Sequence, residues 1–434
     1  MRISRRKVLG TALTATAAGA LSSRLAPDLA AQRSAQPPAP LPPAFDKLQP
    51  LGDRVHPIAT EEFQQRLAHA QHLMSEMEAD PAMVAMFIPP GTSLHYFTGI
   101  RWGNSERLLA LVLPRKGEPA IVSPAFEADR AREQLRWPME VRVWQEDESP
   151  YAVVAGILAD RGLRTGRMGI EETTEYVFYE GLRAAAPAFQ YDSAKPVTMA
   201  CRARKSPAEL ELMRLANRAT VDCYRAVFAS LREGMTEREV ADLADRGFTR
   251  MGLRGFVFAL FGQWAALPHG TVKPQKLREG DIVLIDDGCS VESYPADVTR
   301  TGVFGKPNDK QRRAFDTVRR AQDAALAAAQ RGKLTGSVDD AARAVITAAG
   351  YGKNYEVFTH RLGHGIGLDG HEHPYLVRGS RTVLEQGMTF SDEPGIYLRG
   401  EFGVRCEDCM EIVENGPARL LTQGFSESLE KPCG

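Results

Sequence analysis

Two acidic residues directly follow an apolar, strand-like run in the second half of the chain. Ile282 to Ile285 have the composition of a buried strand, and Asp286 and Asp287 come next, with Asp297 returning in the same 280–302 stretch. A hairpin can bring such acids together, and unpartnered carboxylates are costly to bury, so the pair favours a divalent metal ion. A solvated Asp-Gly turn is the alternative that this stretch alone leaves open.

Histidines and further acids gather towards the end of the chain. Four of the nine histidines fall in one short segment: His360, His364, His371 and His373. Glu393 and Glu407 end or interrupt strand-like runs, and His269 precedes the acidic pair. The glycines at 365, 367 and 370 match a dinucleotide fingerprint, but the required strand–turn–helix context is missing. The combination favours a metal centre over isolated core histidines.

The segments around these residues predict two α/β units. Strand-like and helical segments alternate from Thr60 to about Tyr191, and His95 is interpreted as part of a turn there. Ser206 to Glu209 spells a capping box with proline at the first helical position, which predicts the start of a new helix. Helix, helix and strands then occur twice, which suggests a pseudo-symmetric domain with its site between the halves.

Bulk composition limits the classes of function. A chain of 434 residues exceeds one usual core, so two domains are expected. Lys+Arg is 54 against Asp+Glu 55, so no basic excess points to a nucleic-acid partner. The six cysteines lack the paired spacing of a zinc ribbon and are interpreted mostly as small buried residues.

The N-terminus predicts export. A twin-arginine pair at Arg5 and Arg6 precedes a mildly apolar run over 11–21 and small residues up to Ala31. We interpret 1–31 as a twin-arginine signal peptide, so the protein is expected in the periplasm or outside the cell. The apolar run is too short for a lasting membrane span. The alternative is a basic tail. The proline-rich segment 32–51 is interpreted as a linker outside the core.

Five motifs in order carry a family resemblance: LIDDG (284–288), ADVTRT (296–301), HxxGHGIG with HEHP (360–374), DEPGIY (392–397) and VRCEDC (404–409). With them, residues 196–434 resemble the pita-bread metallopeptidases, such as methionine aminopeptidase, prolidase, aminopeptidase P and creatinase. Residues 52–195 resemble the creatinase/prolidase N-terminal domain, including YFTGI at 96–100. The implied fold class is α/β (α+β). Methionine aminopeptidases lack that first domain, so the proline-specific branch fits better.

The resemblance implies two divalent metal ions held by five side chains: Asp286, Asp297, His364, Glu393 and Glu407. Spacing from Gly288 selects Asp286 rather than Asp287. An oxygen-rich ligand set favours Mn²⁺, with Co²⁺, Zn²⁺ or Fe²⁺ as alternatives.

The resemblance also implies an exopeptidase mechanism on small peptides with proline at the second position. A hydroxide bridging the two ions would attack the carbonyl before proline, with Glu393 handling the proton. His269 and His371 resemble residues that contact the substrate and stabilise the tetrahedral intermediate. His360 is expected near the proline pocket, and Arg405 is expected to steady the substrate or the glutamate. A homodimer is expected, and aminopeptidase and dipeptidase activities stay open.

Two alternatives compete with a peptidase. Creatinase-type relatives work without metal but replace the ligand positions, whereas this chain keeps all five. A lyase acting on dimethylsulfoniopropionate uses the same scaffold with metal, and the additional Asp287 leaves that reading open. A non-catalytic binding protein is the third reading, which the intact ligand set disfavours.

Overall fold

The computed structural model describes residues 39–78, 82–422 and 428–433. The predicted signal peptide at 1–31 lies outside these residues, as do positions 32–38 of the predicted linker. Within the described ranges, no helix combines the length and apolar character needed to cross a bilayer.

The first half of the chain alternates helices and strands, as predicted. Its elements are α1 (Thr60–Glu76), β1 (Met83–Ile88), α2 (Thr92–Thr98), β2 (Ala110–Pro114), β3 (Ala120–Pro124), α3 (Ala128–Gln134), β4 (Glu140–Trp144), α4 (Pro150–Asp160), β5 (Gly166–Ile170), α5 (Tyr176–Ala185), β6 (Phe189–Ser193) and α6 (Lys195–Ala203). The strands form one mixed sheet in the order β4-β3-β2-β1-β5-β6.

Side-chain alternation along the strands produces a core on each face of this sheet. Leu111 points into one core with α1, α2 and α6, whereas Val112 points into the other with α4 and α5. The first core also takes in Val197 and Cys201 of α6, beyond the predicted boundary at 195.

The second half begins with two long helices and then forms the strands that surround the site. Its elements are α7 (Pro207–Phe228), α8 (Glu237–Arg250), β7 (Arg254–Phe261), β8 (Ile282–Val291), β9 (Tyr294–Pro295), β10 (Arg300–Val303), α9 (Asp309–Ala328), α10 (Thr335–Ala348), β11 (Gly363–Gly365), β12 (Glu372–Leu376), β13 (Thr389–Asp392), β14 (Gly395–Leu398), β15 (Phe402–Arg405), β16 (Asp408–Glu411) and β17 (Arg419–Leu420).

Three sheets result from these strands. One has the order β10-β8-β7 with β9 added to β8, one has the order β12-β11-β13-β16-β17, and β14 pairs with β15. The predicted capping box at the start of α7 is present, because Ser206 Oγ accepts from Glu209 N while the Glu209 carboxylate accepts from Ser206 N. Helix, helix and strands therefore occur twice, which confirms the predicted α/β fold class.

Two expectations about local structure were wrong. The described end of the predicted linker is not outside the core: Pro43–Lys47 forms a 3₁₀ helix, and Phe45 is fully buried where Gly247 of α8 leaves room for its ring. His95 lies in α2 rather than in a turn. That helix has only seven residues and ends at Gly99 with φ +78°, so it is too short to show a helical period in sequence.

Candidate metal centre

Strand ends bring the five predicted ligands to one place. Asp286 lies in β8 and Asp297 in the segment between β9 and β10, while His364 lies in β11. Glu393 follows β13 and Glu407 precedes β16. Strands β13 and β16 are antiparallel, and Asp392 pairs with Asp408. The next pair in this register is Glu393 with Glu407, so the two glutamates lie opposite one another.

Candidate donor atoms in this cluster fall into three overlapping groups, each with its atoms within 4.8 Å of one another. The groups are Asp286/Asp297/Glu407, His364/Glu393/Glu407 and Asp297/His364/His371. The shared members make one continuous site. His371 enters it as a near neighbour, although the sequence assigned it to the substrate and not to the ligands.

The geometry around His364 fits a metal ligand. Its Nε2 lies 3.4 Å from Asp297 Oδ2 and 3.3 Å from Glu393 Oε1. Donors about 2.1 Å from a shared ion, at angles of roughly 90–110°, lie about 3.0–3.4 Å apart. Its Nδ1 lies 3.1 Å from the carbonyl oxygen of Gly365, so Nδ1–H can donate there and leave the Nε2 lone pair towards the cluster.

The electrostatics of the cluster call for cations. Burial and the charge of Asp286 raise the pKa of Asp297 well above its usual value. Burial and the charge of Asp297 likewise raise the pKa of Glu407 well above its usual value. Burial also acts on Glu393, but its hydrogen bond with His364 and the charge of His360 outweigh that effect and lower its pKa to about 2. Four carboxylates and one imidazole, largely buried, suit oxygen-preferring divalent ions.

Three further predicted residues surround the cluster. The partly exposed ring of His371 stacks on the ring of His364 with centroids 3.6 Å apart. His360 Nδ1 lies 3.7 Å from Glu393 Oε2. His269 is exposed; burial lowers the pKa of both His360 and His371, and the nearby charge of His269 adds to this in a minor way. The structure thus gathers these histidines on the open side of the site.

Arg405 contacts both a proposed metal ligand and the segment that carries His269. Its guanidinium contacts the Asp286 carboxylate and donates to the carbonyl oxygen of Pro268 at 3.1 Å, just before His269. Burial alone would lower the pKa of Arg405, but the charge of Asp286 outweighs it, so the group stays cationic.

Sequence reasoning missed three hydroxyl groups that order the site. Thr299 Oγ1 lies 2.5 Å from Asp286 Oδ1 and 2.6 Å from Glu407 Oε2, and its one hydrogen can be donated to either carboxylate. Ser391 Oγ accepts from His364 N at 3.0 Å and donates to Glu393 Oε1 at 3.2 Å. Tyr397 Oη is 2.8 Å from His360 Nε2 and accepts from Arg405 at 3.0 Å. All three lie inside or beside the quoted motifs, but only the assembled strands reveal their partners.

Asp287 stands apart from its neighbour Asp286. It has φ +80°, a left-handed conformation that is uncommon for a residue with a side chain. It belongs to none of the three candidate groups found among the described residues. Burial and the charge of Asp286 raise its pKa to about 7.

Comparison with known proteins places this site in a family. The profile of metallopeptidase family M24 matches residues 211–414, and that of the creatinase/prolidase N-terminal domain matches residues 66–204. The chain is 33% identical over 343 residues to the putative dipeptidase YkvY of Bacillus subtilis, covering 78% of this chain and 93% of that protein. It is 34% identical over 339 residues to an Xaa-Pro dipeptidase of Lactobacillus helveticus, covering 76% and 90%.

A solved structure agrees with both profiles. Dipeptidase PepE from Mycobacterium ulcerans superposes with a TM-score of 0.78 at 34% identity, covering 85% of this chain and 98% of that one. Motifs, fold and the gathered ligand set lead to the same assignment. The chain belongs to metallopeptidase family M24, carries a creatinase/prolidase-type N-terminal domain, and is a metallopeptidase.

Proposed function

We propose that this enzyme hydrolyses the bond between an N-terminal residue and a following proline, and that dipeptides are its main substrates. In this proposal two divalent ions, Mn²⁺ in the first place, are held by five side chains: Asp286, Asp297, His364, Glu393 and Glu407. The observation that carries it is that two largely buried donor groups, Asp286/Asp297/Glu407 and His364/Glu393/Glu407, share Glu407 and together contain all five side chains.

Bound ions would supply a Lewis acid for the scissile carbonyl and a water activated at neutral pH. This chemistry suits an Xaa-Pro bond, which is a tertiary amide without an N–H. A site that orients the carbonyl oxygen does not depend on a hydrogen bond from that missing group.

Glu393 is proposed to move the proton. Its Oε1 is on the ligand side, 3.3 Å from His364 Nε2, which leaves Oε2 towards His360. The carboxylate can accept a proton from the attacking water on this side. The same oxygen can then deliver that proton to the proline nitrogen as the bond breaks.

The surrounding side chains are proposed to bind and orient the peptide. Burial and the charge of His364 lower the pKa of His371 to about 4, so its ring is neutral and can donate a hydrogen bond to a developing oxyanion. His269, on the same open side, is assigned to substrate contact. Burial lowers the pKa of His360, whose neutral ring is fixed by Tyr397 at the proposed proline pocket.

Preference for dipeptides is proposed on the basis of the relatives. The Lactobacillus helveticus protein is named an Xaa-Pro dipeptidase, and the Mycobacterium ulcerans structure is named a dipeptidase. Each is covered over nine tenths or more of its length by this chain. Release of alanine from longer peptides that begin Ala-Pro would instead assign aminopeptidase activity.

The test compares Ala-Pro with a longer peptide that begins Ala-Pro, using chelated and Mn²⁺-reloaded protein. We expect Mn²⁺-dependent release of alanine, with a higher kcat/KM for the dipeptide, and loss of at least about a hundredfold in His364→Ala. His72→Ala, in an exposed position of α1, is the matched histidine control. No cleavage of either peptide by protein with two bound Mn²⁺ ions per chain would refute the proposed Xaa-Pro activity.

We also propose that the enzyme is exported and acts as a homodimer. The twin-arginine pair, the apolar run and the small residues near Ala31 support export. Replacement of Arg5 and Arg6 by lysine should keep the protein in the cytoplasmic fraction, and light scattering of the mature chain should give twice the monomer mass. Unchanged export of the lysine variant or a monomer mass would contradict the respective proposal.

A further inference from the structure

The glycine-spaced segment between β11 and β12 has a structural explanation that the nucleotide fingerprint did not offer. A Cβ on Gly365 would come within 2.6 Å of the carbonyl oxygen of Glu372. A Cβ on Gly367 would overlap Glu372 Oε1 and lie 2.8 Å from Lys205 Cε. At Gly370 nothing lies within 4 Å. Gly365 therefore admits the backbone of the neighbouring strand β12, whereas Gly367 leaves the space that the side chains of Glu372 and Lys205 occupy.

Glu372 is held between two cations at the boundary with the first half of the chain. Lys205 Nζ lies 2.5 Å from its Oε1, and Arg202 donates to its Oε2 at 2.5 Å. The side chains are only 1%, 13% and 7% exposed for Lys205, Arg202 and Glu372. In this environment the two hydrogen-bonded ion pairs are poorly screened by solvent.

The same arginine also binds Asp369, three residues before Glu372. Arg202 donates to Asp369 Oδ2 at 2.6 Å, and Thr92 of α2 donates to the other oxygen of Asp369. Two cations thus balance two carboxylates. Because α2 and α6 pack in the first core, the first half of the chain holds residues 369–372 of the second half.

The segment that is held in this way carries His371. Its ring stacks on that of His364, with centroids 3.6 Å apart and an interplanar angle of 20°, and no hydrogen bond to this ring is found within the described ranges. Its position therefore depends on the backbone on either side, between Asp369 and Glu372.

We infer that Arg202 and Lys205 are positioning residues that hold His371 against the metal centre by clamping Glu372, and that Gly367 admits this clamp. The inference rests on the proposed function, because that function assigns His371 to the substrate. It adds a role for the first half of the chain in catalysis: that half fixes a side chain of the site without touching the reacting atoms.

The test uses Gly367→Ala, with Gly370→Ala as the matched control three positions away. The added methyl group at 367 has to displace Glu372 or Lys205, whereas the one at 370 meets open space. We expect kcat to fall by about tenfold or more in Gly367→Ala with KM changed less, since a 1 Å misplacement can cost about a hundredfold. Gly370→Ala should stay within about twofold of the parent enzyme.

A double-variant cycle separates positioning from general damage. In a His371→Ala background, Gly367→Ala should cause no further fall in kcat, because the side chain that it misplaces is gone. Glu372→Gln, in both backgrounds, is the second variant and should behave in the same way. An equal fall in both backgrounds, or no fall in either, would overturn the inference.

A readout without turnover keeps this test distinct from that of the proposed function. Hydrogen exchange of backbone amides over 362–376 should rise in Gly367→Ala and Glu372→Gln but not in Gly370→Ala, at unchanged Mn²⁺ content. Absence of Xaa-Pro cleavage by the parent enzyme would refute the proposed function alone. Unchanged exchange in both clamp variants would refute the clamp, whatever the substrate.

Discussion

Replacement of Arg300 by methionine should strongly destabilise the second half of the chain and weaken metal binding. Arg300 and Asp408 form an ion pair at 2.6 Å, with both side chains fully buried. Arg300 also donates to the carbonyl oxygens of Thr299 at 3.1 Å and Glu407 at 2.7 Å. The arginine therefore supports both a buried carboxylate and the backbone of a proposed ligand.

The expected loss follows from what remains after the substitution. Asp408 keeps hydrogen bonds from Gln322 at 3.0 Å and from Thr422 at 2.7 Å, but its charge loses the balancing cation. Removing one partner of a buried ion pair typically costs about 3–5 kcal/mol. We expect the free energy of unfolding to fall by about 4 kcal/mol, and Mn²⁺ to bind more weakly because Glu407 loses the donor to its carbonyl oxygen.

Urea unfolding of chelated protein measures the first effect, and calorimetric titration with Mn²⁺ measures the second. Arg132→Met is the control, since Arg132 pairs with Asp129 on the surface at 51% and 93% exposure and should change stability by less than about 1 kcal/mol. Arg300→Met with Asp408→Leu should recover part of the loss, because the carboxylate that lost its partner is removed as well. A single variant within about 1 kcal/mol of the parent, or a double variant as unstable as the single, would refute this reasoning.

Three further predictions concern metal, pH and packing. Removal of metal should lower the melting temperature, and excess Mn²⁺ should restore it, since each site at a hundred times its Kd adds about 2.7 kcal/mol; equal melting curves would contradict a metal centre. Burial, together with the charge of Arg101, lowers the pKa of His95 to about 4, so only the unfolded chain takes up that proton between pH 6.5 and 4. Stability should therefore fall by up to about 3 kcal/mol as the pH drops through that window, and less in His95→Gln; equal slopes in urea unfolding at each pH would rule this out. Gly363→Ala should impair Mn²⁺ binding, because its Cβ would overlap Ser391 O and separate β11 from β13; a parental titration curve would argue against this account.

The sequence by itself was informative wherever a pattern is local. Capping at Ser206 and Thr236 involves residues three apart, so both helix starts were predictable and both capping boxes are present. The alternation of strand-like and helical segments predicted the fold class, because a strand or helix with one buried face has apolar residues at a regular spacing in the sequence. The ordered motifs also singled out, through the resemblance, all five side chains that now lie in one cluster.

Only the tertiary structure shows which side chains that are distant in sequence come into contact, since the spacing of residues along the chain does not specify such contacts. Thr299 lies between Asp286 and Glu407 only because β10 pairs with β8 while β15 leads into β16. The burial of Phe45 required the space left at Gly247.

The same reason explains the glycines near His364. In the sequence they resembled a nucleotide fingerprint, because spacing alone does not say what approaches a backbone. In the fold, Glu372 and Lys205 approach it. Composition and motif therefore determined the family, the fold class and the candidate ligands, whereas packing between the two halves determined how His371 is held.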